Sequence, residues 1–289
     1  MNYALDALWW RLKTPMVRDL ASLLTAPAPW LSGCELPVSV LLGDGGFRYL
    51  LALDDEPSVM HDWLVSKAPF GQRLGLYAES LLAFWFTHAP HSILLAHNLA
   101  LRTPTQTVGA ADFMVRLNGV LYHLELACKY YGGCGRSLGD FVGLNPQDAM
   151  ENKIEKIQQQ LRLSQHPAFQ VALMACGIHD EPIHRATVLR GMLFAPALPS
   201  IAPINRLAWQ GGWGCEWAAL ATQLPENISS LRFASVPRLA QLSPLRQAAE
   251  PLLWDEVEHT ISVGMVAVLE QRADEYWHEV MRLMKTEAP

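Results

Sequence analysis

Apolar positions recur with different periods along this chain, and each change of period marks an element. Leu74 to Phe86, LGLYAESLLAFWF, is helical and ends before Pro90. Its only charge, Glu79, stands among Leu76, Leu82, Ala83 and Phe86, so it lies at the rim of a buried stripe or looks into a site. Ile93 to Arg102 reads as a strand, leading through Thr103 to Thr107 into Val108–Tyr130, VGAADFMVRLNGVLYHLELACKY. That stretch is a β-hairpin centred on Asn118-Gly119, the dipeptide that supplies two positive φ angles in a two-residue turn.

The turn fixes the register. With Leu117 opposite Val120, Met114 faces His123, Asp112 faces Glu125 and Val108 faces Lys129. Parity then puts Phe113, Val115, Leu117, Tyr122, Leu124, Leu126, Cys128 and Tyr130 on an apolar face, and Asp112, Glu125, Ala127 and Lys129 on the other. Opposed Cβ atoms are about 5 Å apart, where two like charges repel by about 3 kcal/mol at an effective dielectric of 20. A divalent cation between the carboxylates, or Lys129 leaning in, removes that penalty; a solvated face, where screening makes it small, is the other reading.

Elsewhere the pattern predicts N-terminal helices broken at Pro15 and at Ala26-Pro-Ala-Pro29, with Trp9, Trp10, Leu20, Leu23 and Leu24 in the core. A loop follows at Gly43–Gly46, then an acidic turn at Asp54–Pro57 and a helix near Val59 to Val65. After the hairpin, Gly132–Gly139 is a glycine-rich loop. Asn145 as N-cap, Pro146 at the first position and Asp148 at the third open a helix with Met150, Ile154, Ile157 and Leu161 buried. Lys153 and Gln160, two turns apart, flank that stripe, facing either solvent or the edge of a site. Ala168 to Cys176 fits strand or helix; Val188 to Phe194 and Leu231 to Val236 are strands, Gly211–Gly214 a turn, and Leu252 to Leu283 one long helix bent at Gly264.

Composition narrows the classes. Charged residues are 17% and apolar residues 51% of the 289, with ten tryptophans, which implies a large core or an apolar surface covered by a protein partner or a second copy. A net charge of −6 argues against a protein that coats nucleic acid electrostatically, though a local basic groove is allowed. Cys34, Cys128, Cys134, Cys176 and Cys215 are odd in number and form no C-x-x-C, which fits a reducing cytoplasm. The N-terminus lacks an uninterrupted apolar h-region, and no segment reaches the ~20 apolar residues of a membrane span. His88, His91 and His97, with His179 and His184, lack a metal-ligand spacing and read as surface or capping residues. No P-loop or G-x-G-x-x-G is present in the sequence.

The order helix, strand, hairpin, helix, strand, with Glu79, Asp112, Glu125 and Lys129 placed as they are, resembles the restriction-endonuclease-like PD-(D/E)XK superfamily. More closely, RLGLYAESLLAFW, TVGAADF, HLELACKYY, GLNPQDAMENK with QQLRLS, LRGMLFAP and PRLAQLSP resemble the bacterial domain-of-unknown-function family numbered eighteen fifty-three, over nearly the whole chain. The resemblance implies an α/β fold: a restriction-endonuclease-like mixed sheet flanked by helices in residues 70–200. A helical extension at 1–69 precedes it, and a C-terminal extension at 201–289, packed on the core, ends in a long helix. Two departures stand out. Glu125 and Lys129 are four residues apart rather than two, with Ala127 in the usual place of the lysine, and Ala110 replaces an acid common in the family. The wider spacing carries the acid about 7 Å further from the lysine than usual, so that a metal would be displaced or Glu79 would supply the missing ligand.

What the resemblance implies chemically is a metal-dependent nuclease hydrolysing DNA or RNA. Asp112, Glu125 and Glu79 would hold Mg²⁺, with Mn²⁺ as an alternative, Lys129 would orient the attacking water or steady the charge, and Lys153 and Gln160 would receive phosphate. Two other readings stand beside it: a catalytically degenerate nuclease fold that binds nucleic acid or protein, and a structural or assembly protein whose apolar surface serves a partner or a second copy.

Overall fold

Nine strands form one mixed sheet in a computed structural model that describes residues 11–179, 181–226 and 228–287; Trp9 and Trp10 lie outside the described residues. Five helices that lie wholly within the described residues come before the strands: α1 (Pro15–Thr25), α2 (Val38–Leu42), α3 (Gly46–Asp55), α4 (Ser58–Lys67) and α5 (Leu74–His88). Next are β1 (Ser92–Arg102), β2 (Thr107–Leu117), β3 (Val120–Gly132), α6 (Met150–Arg162), α7 (Pro167–Ala175) and β4 (His184–Phe194). The remainder comprises β5 (Gln210–Gly214), α8 (Trp217–Ala221), β6 (Arg232–Ser235), β7 (Arg246–Gln247), α9 (Trp254–Thr260), β8 (Gly264–Gln271) and β9 (Trp277–Lys285). The strand order is β1-β2-β3-β4-β5-β9-β8-β6, with β7 pairing to β9.

Parity along the hairpin decides which helices cover which face. Phe113, Val115, Leu117, Leu124 and Leu126 are buried with α1 and α5 in the largest core, and Tyr122, Cys128 and Tyr130 pack against it, as the alternation predicts. On the opposite face Ala127 and Tyr131 meet Met150, Ile157 and Leu161 of α6, while Met114 and Leu121 meet Phe169 and Leu173 of α7. β1, β2 and β3 are antiparallel, and β4 runs parallel to β3 from Tyr122↔His184 to Gly132↔Phe194 after the α6–α7 crossover. Gly191 on β4 stands opposite Lys129 with φ +133°, and a Cβ there would lie 1.7 Å from the Lys129 carbonyl oxygen, so glycine is required.

The ends of the chain are locked to this core. Arg190, buried on β4, donates to the carbonyls of Leu23 (2.6 Å) and Leu24 (3.4 Å), satisfying the open C-terminal end of α1. Asp19 accepts from Tyr77 (2.9 Å) and from Ser243 (2.6 Å), joining α1, α5 and the C-terminal part.

Four expectations are corrected. Leu252 to Leu283 is not a long helix but a short helix, α9, followed by the β8–β9 hairpin, so the C-terminal extension ends in strands that continue the sheet. Met265, Val266, Ala267, Val268 and Leu269 are all buried, and burial on both faces erases the alternation that would have marked a strand. Gly211–Gly214 is a strand rather than a turn: a Cβ at Gly211 would meet the Arg282 carbonyl oxygen at 2.4 Å, so the glycines serve close strand packing. Asn145 does not cap a helix. Its Oδ1 accepts from the Gln147 N–H in a local turn, and α6 begins five residues later at Met150. Finally, the β2–β3 ladder holds the predicted register from Leu117↔Val120 only as far as Phe113↔Leu124, and Val108 does not pair with Lys129.

Candidate active site

The site sits where that ladder stops. In a hairpin closed by Leu117↔Val120, alternate pairs exchange main-chain hydrogen bonds, so the N–H of Leu126 is due to meet the carbonyl of Ala111. It donates instead to Asp112 Oδ2 at 2.9 Å, and the Asp112 N–H donates to Glu125 Oε1 at 3.4 Å. The two acidic side chains thus replace main-chain partners and hold the strands apart around themselves. The neighbouring strand also departs from its ladder here. β1 pairs His97↔Phe113 and Leu99↔Ala111, leaving Asn98 opposite Asp112 with φ +54°. Among the described residues the other two non-glycine positive φ angles, at Asn118 and Glu275, belong to turns; Asn98 alone is strained within a strand.

Glu125 is fully buried and Asp112 partly so. Burial, then the charge of Glu125, pushes the Asp112 carboxyl up to about 7. Burial likewise raises Glu125 to about 7, against the pull of hydrogen bonds from the backbone and carboxyl of Asp112. The carboxyls titrate as a pair that, without a cation, retains protons up to neutral pH. Glu125 Oε2 is buried and has no hydrogen-bond partner.

The remaining predicted residues are placed less uniformly. Lys129 shares the face of Glu125, but its Nζ donates to both oxygens of Asp148, at 2.7 and 2.6 Å, and Tyr131 donates to the same carboxylate at 3.1 Å. Lys153 on α6 is the cation whose charge draws down both Asp112 and Glu125. Its own ammonium is lowered by burial and by the neighbouring charges of Lys129 and Lys156. Gln160, two turns further along α6, has a buried Oε1 without a partner. Glu79 projects from α5 on the other side of the hairpin, its Oε2 3.8 Å from His97 Nε2. Its charge raises both acids, but among the described residues no three His, Cys, Asp or Glu side chains gather closely enough to hold a metal ion.

Two histidines belong to this neighbourhood. His97 stacks flat on Phe113, with ring centroids 4.7 Å apart, and faces Glu79. His123, fully buried, lies with Nε2 2.8 Å from Glu125 Oε1. The only sequence signal for His123 is parity: it is two residues before Glu125 on one strand and so shares its face.

The pair of carboxylates suits a divalent cation. Both ligands are hard oxygens, two carboxylates are a common protein share of a Mg²⁺ shell completed by water and phosphate, and the orphaned Oε2 lacks the partner that such an ion would be.

A mixed sheet with a splayed, carboxylate-bearing hairpin and a crossover helix over it defines the architecture in which this site is built. Residues 6–284 match the family described as Domain of unknown function (DUF1853), and the chain belongs to that family. No curated protein and no solved structure matches it. Among the described residues no helix is long and apolar enough to cross a membrane.

Proposed function

We propose that this chain is a divalent-metal-dependent nuclease hydrolysing phosphodiester bonds of DNA or RNA, a bacterial cytoplasmic member of the PD-(D/E)XK superfamily. The observation that carries the reading is the placement of Asp112 and Glu125 at the break in the hairpin, with Glu125 Oε2 buried and unpartnered. The five free cysteines favour the cytoplasm.

Asp112 and Glu125 would hold Mg²⁺ or Mn²⁺, which when bound polarises a phosphate and lowers the pKa of an attacking water. Asp112 is fixed for this by the Leu126 N–H on its Oδ2, and Glu125 by its hydrogen bonds through Oε1. Lys153, rather than Lys129, supplies the positive charge beside the carboxylates, where it steadies the added charge of the phosphate. Lys129, held by Asp148, braces the end of β3 against the 145–149 turn. Glu79 shapes the field at the rim, and Gln160 offers a polar group for substrate from α6.

The engagement of Lys129 by Asp148 favours a second reading, a nuclease fold kept for binding without cutting. Incubating the purified chain with single- and double-stranded DNA and RNA separates the two. Cutting that needs Mg²⁺ or Mn²⁺, stops with chelator and is lost in Asp112→Asn supports the nuclease; retention of a substrate without cutting under all conditions supports the binding module.

A further inference from the structure

The two oxygens of Glu125 stand in unequal circumstances. Oε1 lies 2.8 Å from His123 Nε2 and accepts from the Asp112 N–H at 3.4 Å, while Oε2, equally enclosed, has no partner. His123 and Glu125 are both 0% exposed. The imidazole is itself held in place against Phe169 of α7, with ring centroids 5.1 Å apart, and its Nδ1 makes no hydrogen bond. An ionised carboxylate can only accept, so beside it the shared proton sits on Nε2, which donates.

A buried polar pair kept for stability alone would be expected to satisfy all of its polar atoms, because an apolar pair of similar volume would do as well or better. Here Nδ1 and Oε2 are both left open, and only the bond that fixes the direction of Glu125 is made. The other holds on that carboxylate come from Asp112: its carboxyl, and its N–H at the long end of hydrogen-bond distance. Without the imidazole, only Asp112 holds Glu125 against the pull of the Lys153 charge.

Resting on the metal-site reading above, we infer that His123 is a positioning residue: by donating from Nε2 to Oε1 it fixes the rotamer of Glu125 that presents Oε2 to a divalent cation. It acts through Glu125 and touches neither cation nor substrate.

The test is Mn²⁺ binding to the full chain, by calorimetry, in wild type, His123→Gln, His123→Asn and Asp112→Asn, with each protein also melted in chelator. Glutamine places an N–H donor where Nε2 stood; asparagine leaves it one methylene short. His123→Gln keeps Mn²⁺ affinity within about threefold, whereas His123→Asn weakens it by about 10- to 100-fold, the scale set by partners that orient metal ligands. In chelator the two variants melt together. If His123→Asn does not fold, His123→Ser, shorter still and equally polar, takes its place with the same expectation. Undiminished affinity in the short variant, or equal loss in glutamine and asparagine, overturns the role. A wild type that binds no Mn²⁺, or binds it as tightly after Asp112→Asn, overturns the carboxylate site itself and His123 with it; Asp112-dependent binding with an indifferent His123 overturns the positioning role alone.

Discussion

Both oxygens of Asp148 accept hydrogen bonds from the Lys129 ammonium, at 2.7 and 2.6 Å, so the lysine on the strand of Glu125 is engaged by a carboxylate other than Glu125. The charge of Lys153, on the helix above, draws down both Asp112 and Glu125. Lys153→Met is expected to slow single-turnover cleavage on the order of 100-fold, the usual cost of removing one group that stabilises transition-state charge. Lys129→Met should cost less than about tenfold and lower the melting temperature instead, since a half-exposed ion pair is worth about 1 kcal/mol. The reverse ranking would return the catalytic role to Lys129.

Stability should depend on pH through the carboxylate pair. Asp112 and Glu125 titrate at about 7 in the folded protein, far above their values in an unfolded chain. The folded state therefore binds more protons, and the stability this provides is full below about pH 4 and lost as pH rises through about 7. His123, lowered by burial to about 4, and His278, also lowered by burial, act in the opposite sense up to the ordinary histidine value of 6.5. The net fall thus emerges from about pH 6.5 to 8 and amounts to about 1–2 kcal/mol in metal-free protein. Chemical denaturation across that range should show it, Mg²⁺ should reverse it, and Asp112→Asn should flatten it.

Asn98 tests whether the kink in β1 is part of the site. Its φ of +54° opposite Asp112 is open to glycine and tolerable for asparagine, but not for a β-branched residue. Asn98→Gly should leave stability within about 0.5 kcal/mol, and Asn98→Val should cost about 1–3 kcal/mol. If valine also removes metal-dependent cleavage while glycine retains it, the backbone conformation matters to the site rather than the amide.

At Gly191 the demand is steric. A methyl group would overlap the Lys129 carbonyl oxygen, so Gly191→Ala must push β4 from β3. A loss of about 3 kcal/mol or more is expected, read as a large drop in the denaturation midpoint; a melting temperature equal to wild type would contradict the tight β3–β4 register.

The hairpin was legible because Asn118-Gly119 names both its turn and its register, and parity then places Asp112 beside Glu125. What lay beyond was set by distant contacts. The opening of the strands at Asp112 depends on a side chain competing with a main-chain carbonyl, which periodicity does not encode. The sequestration of Lys129 was hidden because Asn145-Pro146 imitates a helix start, whereas the turn it makes delivers Asp148 to the lysine. The C-terminal strands were masked by helix-favouring residues such as Met265, Ala267 and Leu269, buried within the sheet.

The most direct test of the central claim is calorimetric titration of the metal-free chain with Mn²⁺ near pH 7, in buffers of different ionisation heat. The account predicts one ion bound per chain with release of protons from the carboxylate pair, and loss of both signals in Asp112→Asn and Glu125→Gln. Binding that survives both substitutions, or no binding to the wild type at millimolar Mn²⁺, would contradict it.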